Sequence, residues 1–470
     1  MSRLRVARLL VQGGFSLAVA TLLPLPASAA QYEPTEASLA THPVPDWFRD
    51  AKLGIFIHWG LYSVPGYAPR EAEEFSEKKK NENKALNPYA EWYYNTLLID
   101  GSPTQKFHRN AYGADFNYYN FAKTFKAASK EWNPDVWAEL FSQTGARYVV
   151  LTTKHHDGFA LWPSKVANPH LPPELSHSDR DLVGELTRAV RAHGMKMGFY
   201  YSGLYDWSFK PGPIKDPASR LEARTQTPDY LAYADAQWRE LISSYSPDIV
   251  WNDIGYSPGS DLLKIAADYY NTHPEGVINN RWKPFNLGDF TTPEYARMDA
   301  ISAKPWEECR GLGKSFGLNR IEGPDETIAP GALVDLLVDI VSKNGNLLLD
   351  VGPEPDGTIP AIQVDRLNQL GAWLKQNGEA IFSTRPWIRA EGKTREGGDV
   401  RFTTKGKTLY AILLGRPGGS TVTLIDVPGF SKAALLGTSD SVGVTVAGTD
   451  LTLSLPPSLP GAHAWAIRLN

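Results

Sequence analysis

Arg147-Tyr148-Val149-Val150-Leu151-Thr152-Thr153-Lys154-His155-His156-Asp157 reads as a strand that ends in a burst of polar groups. Tyr148 to Thr153 is apolar and β-branched, short enough for a strand buried on both faces. It delivers two histidines and an aspartate together at its C-terminal end. In a parallel barrel that end of the strand is the mouth, where chemistry is placed.

The same design recurs. Gly54-Ile-Phe56-Ile-His58-Trp59 ends in a histidine, and Gly198-Phe-Tyr200-Tyr201-Ser202 in hydroxyl-bearing rings. Ile249-Val-Trp251-Asn-Asp253 ends in a carboxylate, and Ile278-Asn-Asn-Arg281-Trp282 in a guanidinium. Strand alternation puts Trp251 and Asp253 on one face. A lone polar strand end is an ordinary cap; a series of them implies the rim of an active site.

Between Trp47 and about Phe382, strand-like runs alternate with amphipathic helices. The strand candidates are Leu53–Trp59, Tyr148–Thr153, Met195–Ser202, Ile249–Asp253, Val277–Asn280 and Asn346–Val351. Asn133-Pro134 reads as a cap followed by proline at the first helical position, with Gly145 as the stop. Further helices are expected from Asp179, over Asp229–Ser244, Ala332–Lys343 and Ala361–Asn377. Strict alternation implies a parallel sheet, and roughly 340 residues suit a (β/α)8 barrel with long loops. An open doubly wound sheet is the rival, but no glycine-rich dinucleotide fingerprint follows a strand. From Val400 to Ile467 only short β-rich runs occur, separated by Gly, Pro and Asp, which predicts an antiparallel β-sandwich. The expected division is therefore residues 1–30, a (β/α)8-like barrel over 31–384 and a C-terminal sandwich over 385–470.

Residues 1–30 have the form of a secretory signal peptide. Arg3, Arg5 and Arg8 precede an apolar run from Phe15 to Leu23 and a small-residue site at Ala27-Ser-Ala29-Ala30. The run is too short to span a bilayer. Export to the periplasm or beyond is expected. Without those arginines, Lys+Arg falls from 48 to 45 against 52 Asp+Glu, so the formal charge moves from −4 to −7. No basic patch remains for a nucleic acid; Lys78-Lys79-Lys80 lies among glutamates. The single cysteine, Cys309, excludes an internal disulfide and a cysteine zinc cluster, and is expected to be buried and inert.

Two chemistries fit the polar strand ends. His58, His155, His156 and Asp253 could hold a divalent metal, although no compact metal-binding spacing is present. Glycoside hydrolysis needs a nucleophile, for which Asp253 beside Trp251 is suited, and a second carboxylic acid. Glu294, Glu307, Glu308 and Glu322 are the candidates, and spacing does not choose among them. A sugar-binding protein without catalysis is a third reading.

Long motifs favour the second. Gly54 to Pro65, Asn87-Pro-Tyr-Ala-Glu91-Trp92-Tyr93, Thr153 to Phe159 and Ile249 to Asp253 resemble the retaining exo-α-L-fucosidases of glycoside hydrolase family 29. So do Asn280-Arg281-Trp282, Ser315-Phe316-Gly-Leu-Asn-Arg320 and Asn346 to Pro353. The resemblance runs from about Pro45 to the end. It implies a barrel followed by a sandwich, Asp253 as nucleophile, and Glu294, in Thr292-Pro-Glu-Tyr295, as acid/base. By the same carry-over His58, Glu91, Trp92, His155 and His156 surround the fucose hydroxyls, and Arg281 lies near the reacting carbon. Phe56, Tyr200, Trp251 and Phe316 face the C6 methyl. The implied partner is a fucosylated glycan or glycoconjugate; a homo-oligomer would be consistent with the family, and neither a metal nor another cofactor is expected. The charged stretch Arg70 to Leu86 departs from the family pattern beside Glu91-Trp92.

Overall fold

The computed structural model describes residues 32–70 and 84–470. The expected signal peptide, the Lys78–Lys80 run and most of the Arg70–Leu86 stretch lie outside the described residues.

Among the described residues, seven parallel strands form the first sheet: β1 (Leu53–Ile57), β2 (Tyr148–Lys154), β3 (Lys196–Ser202), β4 (Ile249–Asp253), β5 (Val277–Ile278), β6 (Trp306–Gly311) and β7 (Gly345–Val351). Their spatial order is β5-β4-β3-β2-β1-β7-β6. The gap between β5 and β6 is filled by residues 290–294. Parallel bridges join Asn279 to Phe290, Thr291 to Trp306 and Glu294 to Cys309. The amides of Glu307 and Cys309 donate to the carbonyls of Thr291 and Pro293, at 2.8 and 3.1 Å. An irregular segment thus takes the place of an eighth strand and closes a (β/α)8-like barrel.

Alternation sorts the strand residues into two layers. Phe56, Tyr148, Val150, Tyr200, Ile249, Trp251 and Leu348 fill the barrel interior. Leu53, Ile55, Val149, Leu151, Phe199 and Val250 face the helices. Gly54 faces inward where no side chain fits, since a Cβ there would stand 2.3 Å from the Tyr148 ring. Helix Pro134–Thr144 is capped by Asn133, whose side chain accepts from the Asp135 amide, and stops at left-handed Gly145. Helix Leu182–Ala192 starts later than expected, capped by Asp181. Helices Pro228–Tyr245, Pro330–Ser342 and Ala361–Asn377 complete the expected set.

The second sheet has eight antiparallel strands among the described residues, β8 (Arg385–Lys393), β9 (Asp399–Lys405), β10 (Thr408–Leu414), β11 (Thr421–Leu424), β12 (Ala433–Leu435), β13 (Ser441–Ala447), β14 (Asp450–Ser454) and β15 (Ala464–Leu469). The order is β11-β14-β13-β12-β15-β10-β9-β8, and an antiparallel bridge from Thr394 to Leu424 brings its ends together. Val400, Phe402, Leu409, Leu453 and Ile467 form the core of this sandwich.

The sandwich is braced on the barrel. Trp373 donates its indole N–H to the Ala464 carbonyl at 2.8 Å, and Arg401 meets the buried Asp339 at 2.6 Å. Tyr410, Ile412 and Ala466 belong to the same apolar cluster as Leu370 and Leu374.

Candidate active site

The barrel mouth opens into a cavity of about 730 Å³. Phe56 and His58 come to it from β1, Tyr200 from β3, Trp251 and Asp253 from β4 and Arg281 from the turn after β5. Glu294 is on the closing segment, Phe316 on the loop after β6, and Glu91 and Trp92 on the turn preceding helix Tyr93–Leu97. His155 completes the lining from the end of β2.

Of the polar cluster 154–157, only His155 lines the cavity. The register of β2 against β3 shifts between Thr152 and Lys154. That irregularity reverses the parity of the strand, as a bulge does. Lys154 is turned outward into a fully buried ion pair with Asp206 at 2.5 Å, above the Tyr201 ring. Asp157 accepts from the Tyr118 hydroxyl at 2.8 Å, and burial raises its carboxyl to about 6. His156 stands behind His155, with ring centroids 4.0 Å apart and Nδ1 2.7 Å from the Ser202 hydroxyl. Burial lowers both histidines, His156 to about 3, so both rings are neutral near pH 7. The buried Nδ1 of His155 has no hydrogen-bond partner among the described residues.

The two carboxylates meet at Arg281. Its Nη1 donates to Asp253 Oδ1 at 2.9 Å and to Glu294 Oε1 at 2.5 Å. The rest of the guanidinium is fixed: Nε donates to the Thr292 hydroxyl and Nη2 to the Thr292 carbonyl, both at 2.8 Å. The group lies 4.7 Å from the centre of the Trp251 ring. Asp253 also accepts from the Tyr200 hydroxyl at 2.9 Å. Burial alone would raise the Asp253 carboxyl. Arg281, with its hydrogen bond and that from Tyr200, outweighs burial and holds it below the usual carboxylate range. Tyr200, expected as part of an apolar wall, therefore also grips a carboxylate.

The other glutamates considered from the sequence lie elsewhere. Glu307 points into the barrel below the cavity, accepting from Tyr148 and, at 3.0 Å, from the Trp251 indole; burial lifts it to about 7. Its neighbour Glu308, also raised to about 7 by burial, is 3.9 Å from Arg310. Glu322 accepts the amides of Lys314 and Ser315 and so pins that loop. Of the four candidates, Glu294 alone lines the cavity.

Sequence reasoning passed over three supports. Asp350, on β7, holds His58 Nδ1 at 2.6 Å and accepts the Gly317 amide at 3.0 Å. Its position near a strand end is the same signal that picked out Asp253. Thr292 orients Arg281, and Lys84 lies 5.7 Å from the Trp92 ring centre. Cys309 is buried, with Arg281 Nη2 3.3 Å from its sulfur, and burial pushes the thiol up. Among the described residues, no group of three or more His, Cys, Asp or Glu side chains is placed to hold a metal ion. No helix among them is long and apolar enough to cross a membrane.

A parallel barrel that converges two carboxylates on one guanidinium, beside aromatic rings at its mouth, is built as a glycoside hydrolase is built. Comparison with known proteins narrows that class. The alpha-L-fucosidase family model matches residues 21–379. An alpha-L-fucosidase of Branchiostoma floridae is 35% identical over 94% of this chain and 96% of its own. Human tissue alpha-L-fucosidase is 33% identical over 94% of this chain and 92% of its own. The crystal structure of Thermotoga maritima alpha-fucosidase in complex with fucose superposes with a TM-score of 0.85 at 42% identity, covering 93% of this chain and 100% of that one. The chain belongs to the alpha-L-fucosidase family, glycoside hydrolase family 29, and is an enzyme of the fucosidase class.

Proposed function

We propose that this enzyme removes terminal α-L-fucosyl residues from glycans with retained configuration, through a covalent fucosyl-enzyme ester. Asp253, kept ionised, attacks the anomeric carbon while Glu294 protonates the departing oxygen. Glu294 then takes a proton from water as the ester is hydrolysed. One observation carries the reading: both carboxylates bond the same Arg281 nitrogen. Two bonds laid end to end bring the two bonded oxygens within the roughly 5–5.5 Å range of double displacement, which favours it over the wider gap an inverting enzyme leaves for water.

The substrate class is supported by the lining. Phe56 and Phe316 supply apolar surface for a 6-deoxy sugar's methyl, with Trp251 and the Tyr200 ring beside them. His58, Glu91, Trp92 and His155 face the hydroxyls, and His156 backs them. A methyl pocket discriminates by only about 1–3 kcal/mol, so hydroxyl stereochemistry carries most of the selectivity. The solved relative from Thermotoga maritima holds fucose, which agrees with this assignment. The same reading has residues 1–30 as the export signal, residues 31–384 as the catalytic barrel and residues 385–470 as a sandwich that braces it.

The test is covalent trapping. A slowly turned over fucosyl donor should leave its label on Asp253 in a peptide map, and NMR should detect α-L-fucose as the first-formed anomer. Asp253→Ala should abolish turnover while fucose binding stays measurable. Label on another residue, or β-fucose first, would overturn the mechanism.

A further inference from the structure

Asp253 and Glu91, on the cavity lining, are buried and Glu294 is half-buried. Of the three lining cations among the described residues that the mechanism does not use, Lys84 is buried, whereas Arg220 and Lys283 are exposed. Neither is ion-paired among the described residues, unlike Arg281, which spans two carboxylates. Their backbones are anchored. The Arg220 carbonyl, on helix Pro217–Glu222, accepts from the Tyr205 hydroxyl at 3.1 Å, and the Lys283 carbonyl accepts from the Tyr256 amide at 2.9 Å. A separate depression of about 410 Å³ is lined by exposed Arg224 and Lys210 together with exposed Asp229. Solvated cations on a surface need no ligand. Two of them on the rim of a substrate cavity, with every lining carboxylate among the described residues set deeper, select by charge what enters beyond the fucose.

We propose that Arg220 and Lys283 form a leaving-group subsite that recognises an anionic substituent, a sulfate ester or a carboxylate, on the sugar to which the fucose is attached. The proposal rests on the fucosidase reading above. Because both side chains are exposed, each contact contributes modestly, up to about fivefold in kcat/KM, and is weakened by salt.

The experiment compares three matched substrates, an α-L-fucosyl disaccharide with a neutral acceptor sugar and the same compound carrying a sulfate or a carboxylate on that sugar. At low ionic strength the wild-type enzyme should favour at least one anionic form by about five- to tenfold in kcat/KM. The ratio should fall towards one in high salt and in the Arg220→Gln/Lys283→Gln double variant, whatever that variant does to the rate shared by all three. Whichever anionic form is favoured identifies the source. A ratio at or below one in the wild type, or a preference that survives both salt and the double substitution, overturns the proposal. Failure to cleave any of the three would instead strike at the fucosidase reading. The salt series on the wild type keeps the test decisive if the variant does not fold.

Discussion

Replacing Arg281 with glutamine should move the acidic limb of the pH–rate profile upward. To act as the proposed nucleophile Asp253 must be ionised, and it is buried beside the rings of Tyr200 and Trp251. Burial favours the protonated acid, and the guanidinium 2.9 Å away is the chief opposing charge. Arg281 also separates Asp253 from Glu294 electrostatically, so its loss leaves two carboxyl groups facing each other across one vacated site. Removing an opposite charge at this range raises a carboxyl by about 1–3 units, or roughly 1.4–4 kcal/mol. The introduced glutamine can still donate one hydrogen bond, which argues for the lower half of that range.

The sign follows from the depressed native value. In the wild type, kcat/KM should stay on its plateau until the pH falls below the ordinary carboxylate value of about 3.9. In the variant the loss should begin one to two units higher. Stability moves with it. A depressed carboxyl contributes stability that is present above its unfolded pKa and lost as pH falls through the folded one, so wild type and variant should differ most near neutrality and converge in acid. Breaking the buried pair should cost about 3–5 kcal/mol near neutrality. Stopped assays of kcat/KM on an aryl fucoside across the acid range, with thermal melting in the same buffers, measure both. An unshifted acidic limb would refute the idea that Arg281 keeps the nucleophile charged.

Two further expectations are simpler. Glu294→Ala should slow fucosides with poor, sugar-like leaving groups by about 10²–10⁴ and aryl fucosides far less, because only the former need the proton; equal losses on both would assign the acid elsewhere. Gly54→Ala would press a methyl into the Tyr148 ring, whose hydroxyl is tied to Glu307, so melting should report a loss of about 1–3 kcal/mol; an unchanged midpoint would mean the barrel interior has slack there.

What the sequence revealed, and what it hid, has a common cause in locality. Ile249–Asp253 and Ala361–Asn377 were legible to the residue because alternation, capping and apolar period are written within the element. Strand β6 was not, because Trp306-Glu-Glu-Cys-Arg-Gly311 carries two carboxylates in six residues. Only the donors of Tyr148 and Trp251, distant in sequence, make Glu307 tolerable in a barrel interior. Val277–Asn280 ends early, at Ile278, because Asn279, still bonded to β4, pairs on its other side with Phe290 of the closing segment by an isolated bridge. In the sandwich, β8, β12 and β13 are half-exposed or short, so an apolar run marks them only weakly in the sequence. Spacing could not single out Glu294, since the segment bearing it is joined to its neighbours by isolated bridges. The two adjacent histidines posed a parity question that counting residues from Tyr148 answers wrongly, because the shift in β2 reverses which one faces inward.

Both carboxylates are followed by a residue with left-handed backbone, Ile254 at φ 67° and Tyr295 at φ 47°. For a β-branched isoleucine this conformation is a true outlier, costing of order 1–3 kcal/mol. The neighbours hold each turn in place. Asn252 donates its side-chain amide to the carbonyls of Gly255, at 2.9 Å, and Arg281, at 2.7 Å, while Asn279 brackets the Asn252 backbone. Tyr295 accepts the Gly311 amide at 3.0 Å and stands 5.0 Å from the Arg310 guanidinium. A relaxed strand end would carry the chain straight on past the mouth. The left-handed residues turn it aside directly after Asp253 and after Glu294, which fixes where each carboxylate stands at the cavity. Arg281 can then reach both from one atom. The strain and the bridging guanidinium are therefore two parts of one arrangement, and the large apolar interior beneath it is what lets the barrel sustain both.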